Sequence, residues 1–237
     1  MAQASSISAT DRPLRSVLIV DDHPLFCDAL SMTLAGPVGI SRVEAVGNLG
    51  AALDRLAMGE APDVIVLDLN LPDVNGLDGV VRMRQAAPAT PIIVVSSMDE
   101  PRVVRSALRA GVSAFVPKHA AREAFREAFA ILARGETHPS RRILDQTTPT
   151  PAEEAVARLS LLTRQQGKIL QLVSAGLMNK QIAYELSVAE TTVKAHITAI
   201  MRKLGVQTRT QAVLFTQDVS FAAMSPAEMP SAAMRGE

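Results

Sequence analysis

The chain has 237 residues, and its 24 Lys+Arg balance 24 Asp+Glu, a length that fits one large domain or two ordinary ones with separate cores. Its one cysteine, Cys27, excludes an intramolecular disulfide framework and suits a reducing cytosol. It lacks Trp and has one Tyr, which argues against base-stacking platforms; neither a secretory core nor a membrane-spanning apolar run occurs, so a cytoplasmic protein with no membrane partner is expected.

Residues 1–14 are polar and are expected to be flexible. From 15 to 134 strand and helix patterns alternate. Ser16–Val20 is a short apolar strand that ends on Asp21-Asp22. Pro24 then suits the first turn of a helix running to about Gly36. Arg42–Val46 reads as a second strand and Leu49–Ala57 as a helix. Val64–Leu67 is four apolar residues, mostly β-branched, as in a parallel strand buried on both faces. It ends on Asp68, and the Pro, Asn and Gly that follow read as a loop. A helix from about Gly76 to Ala86, a buried strand at Pro91–Ser96 and a helix from Pro101 to Ala110 follow. Ala114–Val116 is a fifth strand, and the Pro117 beside it places that strand at a sheet edge. In Ala121–Arg134, Phe125 and Phe129 recur at helical spacing and read as core. Five such units imply an α/β fold with a doubly wound, five-stranded parallel sheet.

Residues 135–160 lose the strand pattern and gather Thr and Pro; they read as a linker, with Thr147–Pro151 as the hinge. From 161 to 217 the pattern is helical throughout, and the tail 218–237 is expected to be poorly ordered. Charge separates the halves. Residues 14–134 carry twelve Lys/Arg against fourteen Asp/Glu, whereas residues 161–217 carry seven against two. A small basic helical domain beside an acidic one points to a polyanion partner for the former.

Ligand crevices of open parallel sheets lie at the carboxyl ends of the strands. There the pattern gathers Asp21 and Asp22, Asp68, Ser96 and Lys118 from four different strands. A lone strand-end Asp is most often a loop cap; the set is what points to a site. Three clustered carboxylates need a cation to stay ionised together, and hard oxygen ligands favour Mg²⁺. Lys118 and Ser96 could neutralise and hydrogen-bond an incoming phosphoryl group. Asp68 would be the nucleophile, forming an acyl phosphate.

Asp21-Asp22-His23-Pro24, Asp68-Leu69-Asn70-Leu71-Pro72 with Gly76, Ser96, Gly111 and Lys118 together resemble the flavodoxin-like receiver domain of two-component response regulators. The resemblance implies that Asp68 takes phosphate from a sensor histidine kinase. It implies that Asp22, Asp68 and the main-chain carbonyl of Asn70 hold Mg²⁺, with Asp21 assisting through water. It also makes Ser96 and Phe115 a switch pair, the hydroxyl turning towards the phosphate as the ring moves inward. The lysine's neighbours depart from the family, with Pro117 before it and His119 after it.

In the helical half, a short helix at Asn179–Leu186, a tight turn and a longer helix at Glu190–Leu204 read as a smaller, all-α helix-turn-helix domain. A first helix spans Leu161–Ser174, and Thr208 is a good N-cap for a fourth. Leu162-Thr163, Ala175 to Ala183, Glu190 to His196, Leu204-Gly205-Val206 and Thr208 to Ala212 closely resemble the LuxR/NarL-type DNA-binding domain. By that resemblance Thr191–Lys203 enters the major groove of double-stranded DNA. Lys194, Ala195 and Thr198 would face base edges; Asn179, Lys180, Thr192 and His196 would lie near phosphates, with Thr191 and Lys203 on the same surface. Two departures stand out. Gly167 lies inside the first helix, at a cost of about 1 kcal/mol relative to Ala. Ala189 replaces a capping Ser or Thr, a loss of about 1 kcal/mol.

The expected function is a DNA-binding response regulator that dimerises on phosphorylation, not an enzyme. An aspartyl-phosphate phosphatase would need a second acid two residues after Asp68, where Asn70 stands. A receiver signalling without phosphate would not need the full acidic set.

Overall fold

Runs of Val, Ile and Leu form three of the five strands of the computed structural model, which describes residues 14–35, 39–74, 76–145 and 147–223, with side chains to residue 216. The strands are β1 (Ser16–Val20), β2 (Arg42–Val46), β3 (Val64–Leu67), β4 (Ile92–Ser96) and β5 (Ala114–Pro117). All pair in parallel in the order β2-β1-β3-β4-β5. The order reverses at β1, so β1 and β3 flank the crevice where such sheets bind ligands.

The helices between them are α1 (Pro24–Ala35), α2 (Leu49–Met58), α3 (Asp78–Ala86), α4 (Pro101–Arg109) and α5 (Arg122–Ala133). Alternate strand residues divide between two cores, as the two-residue period requires. Val17, Ile19, Val66, Ile93 and Val95 pack with Leu30, Leu34, Phe125 and Phe129 on one face. Leu18, Ile65, Leu67, Ile92 and Val94 pack on the other with Leu49, Val80, Met83 and Leu108.

Residues 135–160, expected as a linker between the two halves, are not structureless. Pro139–Leu144 is a 3₁₀ helix, and Pro151–Ser160 is a helix, α6. The signal was present in Thr150-Pro151-Ala152-Glu153. Thr150 Oγ1 accepts from Glu153 N at 3.3 Å while Thr150 N donates to Glu153 Oε2 at 3.0 Å, a capping box with Pro at the first helical position. Ala155, Val156 and Leu159 then supply an apolar face. The run read as a hinge is therefore, at its end, a helix start. The 3₁₀ segment closes the open edge of β5: Phe115 N donates to Ser140 Oγ at 3.3 Å, and Arg141 Nη1 donates to Val112 O at 2.5 Å.

Beyond it lie α7 (Arg164–Ser174), α8 (Asn179–Glu185), α9 (Glu190–Leu204) and α10 (Arg209–Ala223). Thr208 Oγ1 accepts from Gln211 N at 3.2 Å. Helix α10 runs to Ala223, six residues into the segment expected to be a poorly ordered tail. The rest of the tail, from 224, and residues 1–13 of the expected flexible N-terminus lie outside the described residues. Among the described residues no helix is long and apolar enough to cross a membrane.

Helix α6 packs on α3 and α4 on one side and on α9 and α10 on the other. Val80 and Leu108 consequently share one buried cluster with Val156, Leu159, Ile169, Val193 and Leu204. Polar bonds reinforce this seam. Glu153 is fully buried and pairs with Arg105 at 2.8 Å and Arg109 at 3.3 Å. Arg109 Nη2 donates to Thr147 O at 2.8 Å, and Gln85 Nε2 donates to Leu159 O at 3.1 Å.

Candidate acidic site and nucleic-acid interface

The ends of β1, β3 and β5 meet at one edge. Asp21 N donates to Val46 O at 3.0 Å and Asp68 N to Val20 O at 2.9 Å, so the backbone of both acids is held by the neighbouring strand. Asp21 and Asp68 are buried, at 4% and 2% exposure, whereas Asp22 is exposed. Lys118 Nζ comes from β5's end to within 2.8 Å of both Asp21 Oδ2 and Asp68 Oδ2. Burial pushes the Lys118 ammonium down, but the two carboxylates prevail and hold it above the ordinary lysine value. Its Nζ also lies 5.1 Å from the centre of the Phe26 ring, within cation–π range. Asp68 Oδ1 accepts from Asn70 N at 3.1 Å.

Three carboxylates gathered around one ammonium leave an excess of negative charge that a divalent cation fits. Ligand atoms from Asp21, Asp22, Asp68 and His23 lie within 4.8 Å of one another. Asp21 Oδ2 is buried and meets the Lys118 ammonium at 2.8 Å. The donor set fits a hard cation.

Ser96 is fully buried, and its hydroxyl accepts from Met98 N at 3.2 Å. It thus faces the β4–α4 loop. Its carbonyl accepts from Lys118 N at 2.9 Å, which ties β4's end to the lysine. The Phe115 ring is inward, at 5% exposure. The sequence pattern therefore brought Asp21, Asp22, Asp68 and Lys118 to one point, while the Ser96 hydroxyl is turned to the loop.

On α9, Val193, Ile200 and Leu204 anchor the helix in the core, while Thr191, Thr192, Lys194, Ala195 and Thr198 are exposed and His196 is half-buried. Ala189 caps α9 without a side-chain hydrogen bond. Lys194 pairs with Glu190 at 2.9 Å, one turn back. Lys180 is exposed at the start of α8; Asn179 Oδ1 accepts from Arg209 Nη1 at 3.2 Å. Lys203 is half-buried. Its Nζ donates to Leu161 O at 2.8 Å and to Gln166 Oε1 at 2.7 Å, stitching α9 to the start of α7. Helical position alone could not show that bond, because its partners lie far back in the chain.

Comparison with known proteins agrees along the chain. A model of the response regulator receiver domain matches residues 17–130, and one of the luxR family of bacterial regulatory proteins matches residues 160–216. The glycerol metabolism activator of Pseudomonas putida is 36% identical over 214 residues, covering 87% of this chain and 97% of that protein. The nitrate/nitrite response regulator NarP of Escherichia coli K12 is 35% identical, covering 85% and 94% respectively. The fold resembles that of RcsB from Salmonella enterica serovar Typhimurium bound to promoter P1flhDC in the presence of the phosphomimetic BeF3⁻. The TM-score is 0.50 at 22% identity, covering 86% of this chain and 98% of that one.

Proposed function

The chain belongs to the response regulators that join a receiver domain to a LuxR-type DNA-binding domain, and from that premise we propose how its residues carry the signal. The family's receivers take a phosphoryl group from a sensor histidine kinase, and the helical half binds DNA to regulate transcription. Asp68 is the acceptor: a carboxylate oxygen attacks the phosphorus of the donor phosphohistidine, the P–N bond breaks, and the imidazole leaves with its electron pair. The observation that carries this assignment is the buried Asp68 carboxylate held 2.8 Å from Lys118 at the end of β3.

Asp22, Asp68 and the main-chain carbonyl of Asn70 would hold Mg²⁺, with Asp21 acting through water. When bound, Mg²⁺ neutralises charge on the phosphoryl oxygens. Lys118 neutralises a further phosphoryl oxygen, and the Ser96 hydroxyl turns from Met98 N to hydrogen-bond another. That turn removes a bond from the loop leading into α4, whose Arg105 and Arg109 hold Glu153 of α6. The turn of Ser96, with the Phe115 ring already inward, thereby shifts a pre-existing equilibrium away from the closed seam, towards a homodimer. Lys194, Ala195 and Thr198 read base edges; Asn179, Lys180, Thr191, Thr192 and His196 position the helix on the backbone. RcsB on its promoter supports DNA as the ligand. The chain acts by binding rather than turnover, in the cytoplasm, and Asn70 leaves it without a phosphatase's second acid.

Intact mass after incubation with a small phosphodonor tests the acceptor. One phosphate adduct is expected, requiring Mg²⁺ and absent from Asp68→Asn. An adduct that persists in that variant, or forms in excess EDTA, would contradict the assignment.

A further inference from the structure

His23 follows the acidic pair and is mostly exposed, its side chain 58% accessible, so packing does not force its ring inward. The ring nevertheless turns to the acids. Nδ1 lies 2.8 Å from Asp22 Oδ1 and 3.1 Å from Asp21 Oδ1, and 3.4 Å from Lys118 Nζ. In an octahedral complex with bonds of about 2.1 Å, neighbouring ligands stand about 3 Å apart and opposite ones about 4.2 Å. The 2.8 Å separation from Asp22 Oδ1 is that of neighbours on one ion, whereas Asp21 Oδ1 already accepts from the backbone N–H of His23 at 2.9 Å.

From this geometry we infer that His23 Nδ1 is a nitrogen ligand to the site's divalent cation and tilts its selectivity from Mg²⁺ towards Mn²⁺, Co²⁺ and Zn²⁺. The inference rests on the proposed reading of the acidic cluster as a cation site. Mg²⁺ gains little from a nitrogen ligand in place of water, whereas imidazole strengthens binding of the later first-row ions. His23 thus becomes a specificity-determining residue for the ion that supports phosphoryl acceptance.

The competing account is that His23 is only a cationic stand-in for the ion. Titration calorimetry of the full chain with MgCl₂, MnCl₂ and CoCl₂ separates the two, together with the Co²⁺ absorption spectrum. Wild type, His23→Ala, His23→Gln and Asp22→Asn are compared. The expected result is a loss of Co²⁺ affinity of about tenfold or more in both His23 variants, a common size for changes at a metal site. Mg²⁺ affinity should change far less, and the Co²⁺ bands should move when the nitrogen is removed. Equal losses for all three ions, or a gain for all of them, would overturn the proposal while leaving the cation site intact. Binding unaffected by Asp22→Asn would overturn the cation-site reading itself. Unchanged thermal melting of the His23 variants guards against a folding artefact.

Discussion

Lys194 and Lys180 carry the same charge but stand at different places on the helical half. Lys194 projects from the exposed face of α9, tethered to Glu190 at 2.9 Å, whereas Lys180 sits at the start of α8. If α9 enters the major groove, Lys194→Ala should lose affinity for the cognate operator by about 1–3 kcal/mol more than for random DNA. Lys180→Ala should weaken both alike and lower the salt slope by about one counterion. Titrations against both DNAs at several salt concentrations check this; equal losses for the two variants would show that Lys194 reads no base. At this scale legibility depended on how local the cause was. Asp21, Asp68 and Lys118 were readable because strand ends in a parallel sheet converge. Lys203 was not, because its oxygen partners Leu161 and Gln166 are reached only after α6 and α7 fold against α9. Its position in a basic helix gives no sign of these two bonds.

Gly167 shows at the level of elements how tertiary contact overrides propensity. It is buried in α7, and a Cβ there would come 2.1 Å from Gln85 Oε1 of α3. The glycine is a close approach between the two halves, not merely a weak point in a helix. Because Gln85 ends in a flexible amide, Gly167→Ala should displace it and break its 3.1 Å bond to Leu159 O. A loss of about 1 kcal/mol for that bond offsets a helix gain of about 1 kcal/mol, so the single variant should melt near wild type. In a Gln85→Ala background the clash is gone, and Gly167→Ala should stabilise by about 1 kcal/mol. A double-mutant cycle by thermal melting measures the coupling; independent effects would remove Gln85 from the account. The strand runs and the α8–α9 pair were legible because hydrophobic period and turn residues are local signals. Helix α6 was missed for a different reason. Thr and Pro were weighed as hinge composition, and the Thr150–Glu153 capping box within them was overlooked.

Across the whole molecule, the seam concentrates its charge on Glu153. Burial pushes this carboxyl up, but the Thr150 N–H, Arg105 and Arg109 outweigh it and hold it below the usual glutamate range. A carboxyl depressed in the folded state contributes stability that is present above its unfolded value, about pH 4.5. That contribution is lost as pH falls through the lower, folded value. The closed seam should therefore open in acid below about pH 4.5. Glu153→Gln isolates this effect, since Gln still serves at the third position of the capping box but leaves Arg105 and Arg109 without their anion. Removing one partner of a buried pair costs on the order of 3 kcal/mol, which should open the seam at neutral pH. Small-angle scattering should then show a larger radius of gyration for Glu153→Gln at pH 7, with a flatter response to acid than wild type. Sedimentation should show wild type shifting to dimer only after a phosphodonor and Mg²⁺ are added. The variant, already open, should dimerise in part without them. A variant that stays as compact and as monomeric as wild type would mean that the Arg105–Glu153–Arg109 contact only fills the seam, and that the phosphoryl signal reaches α9 by another route.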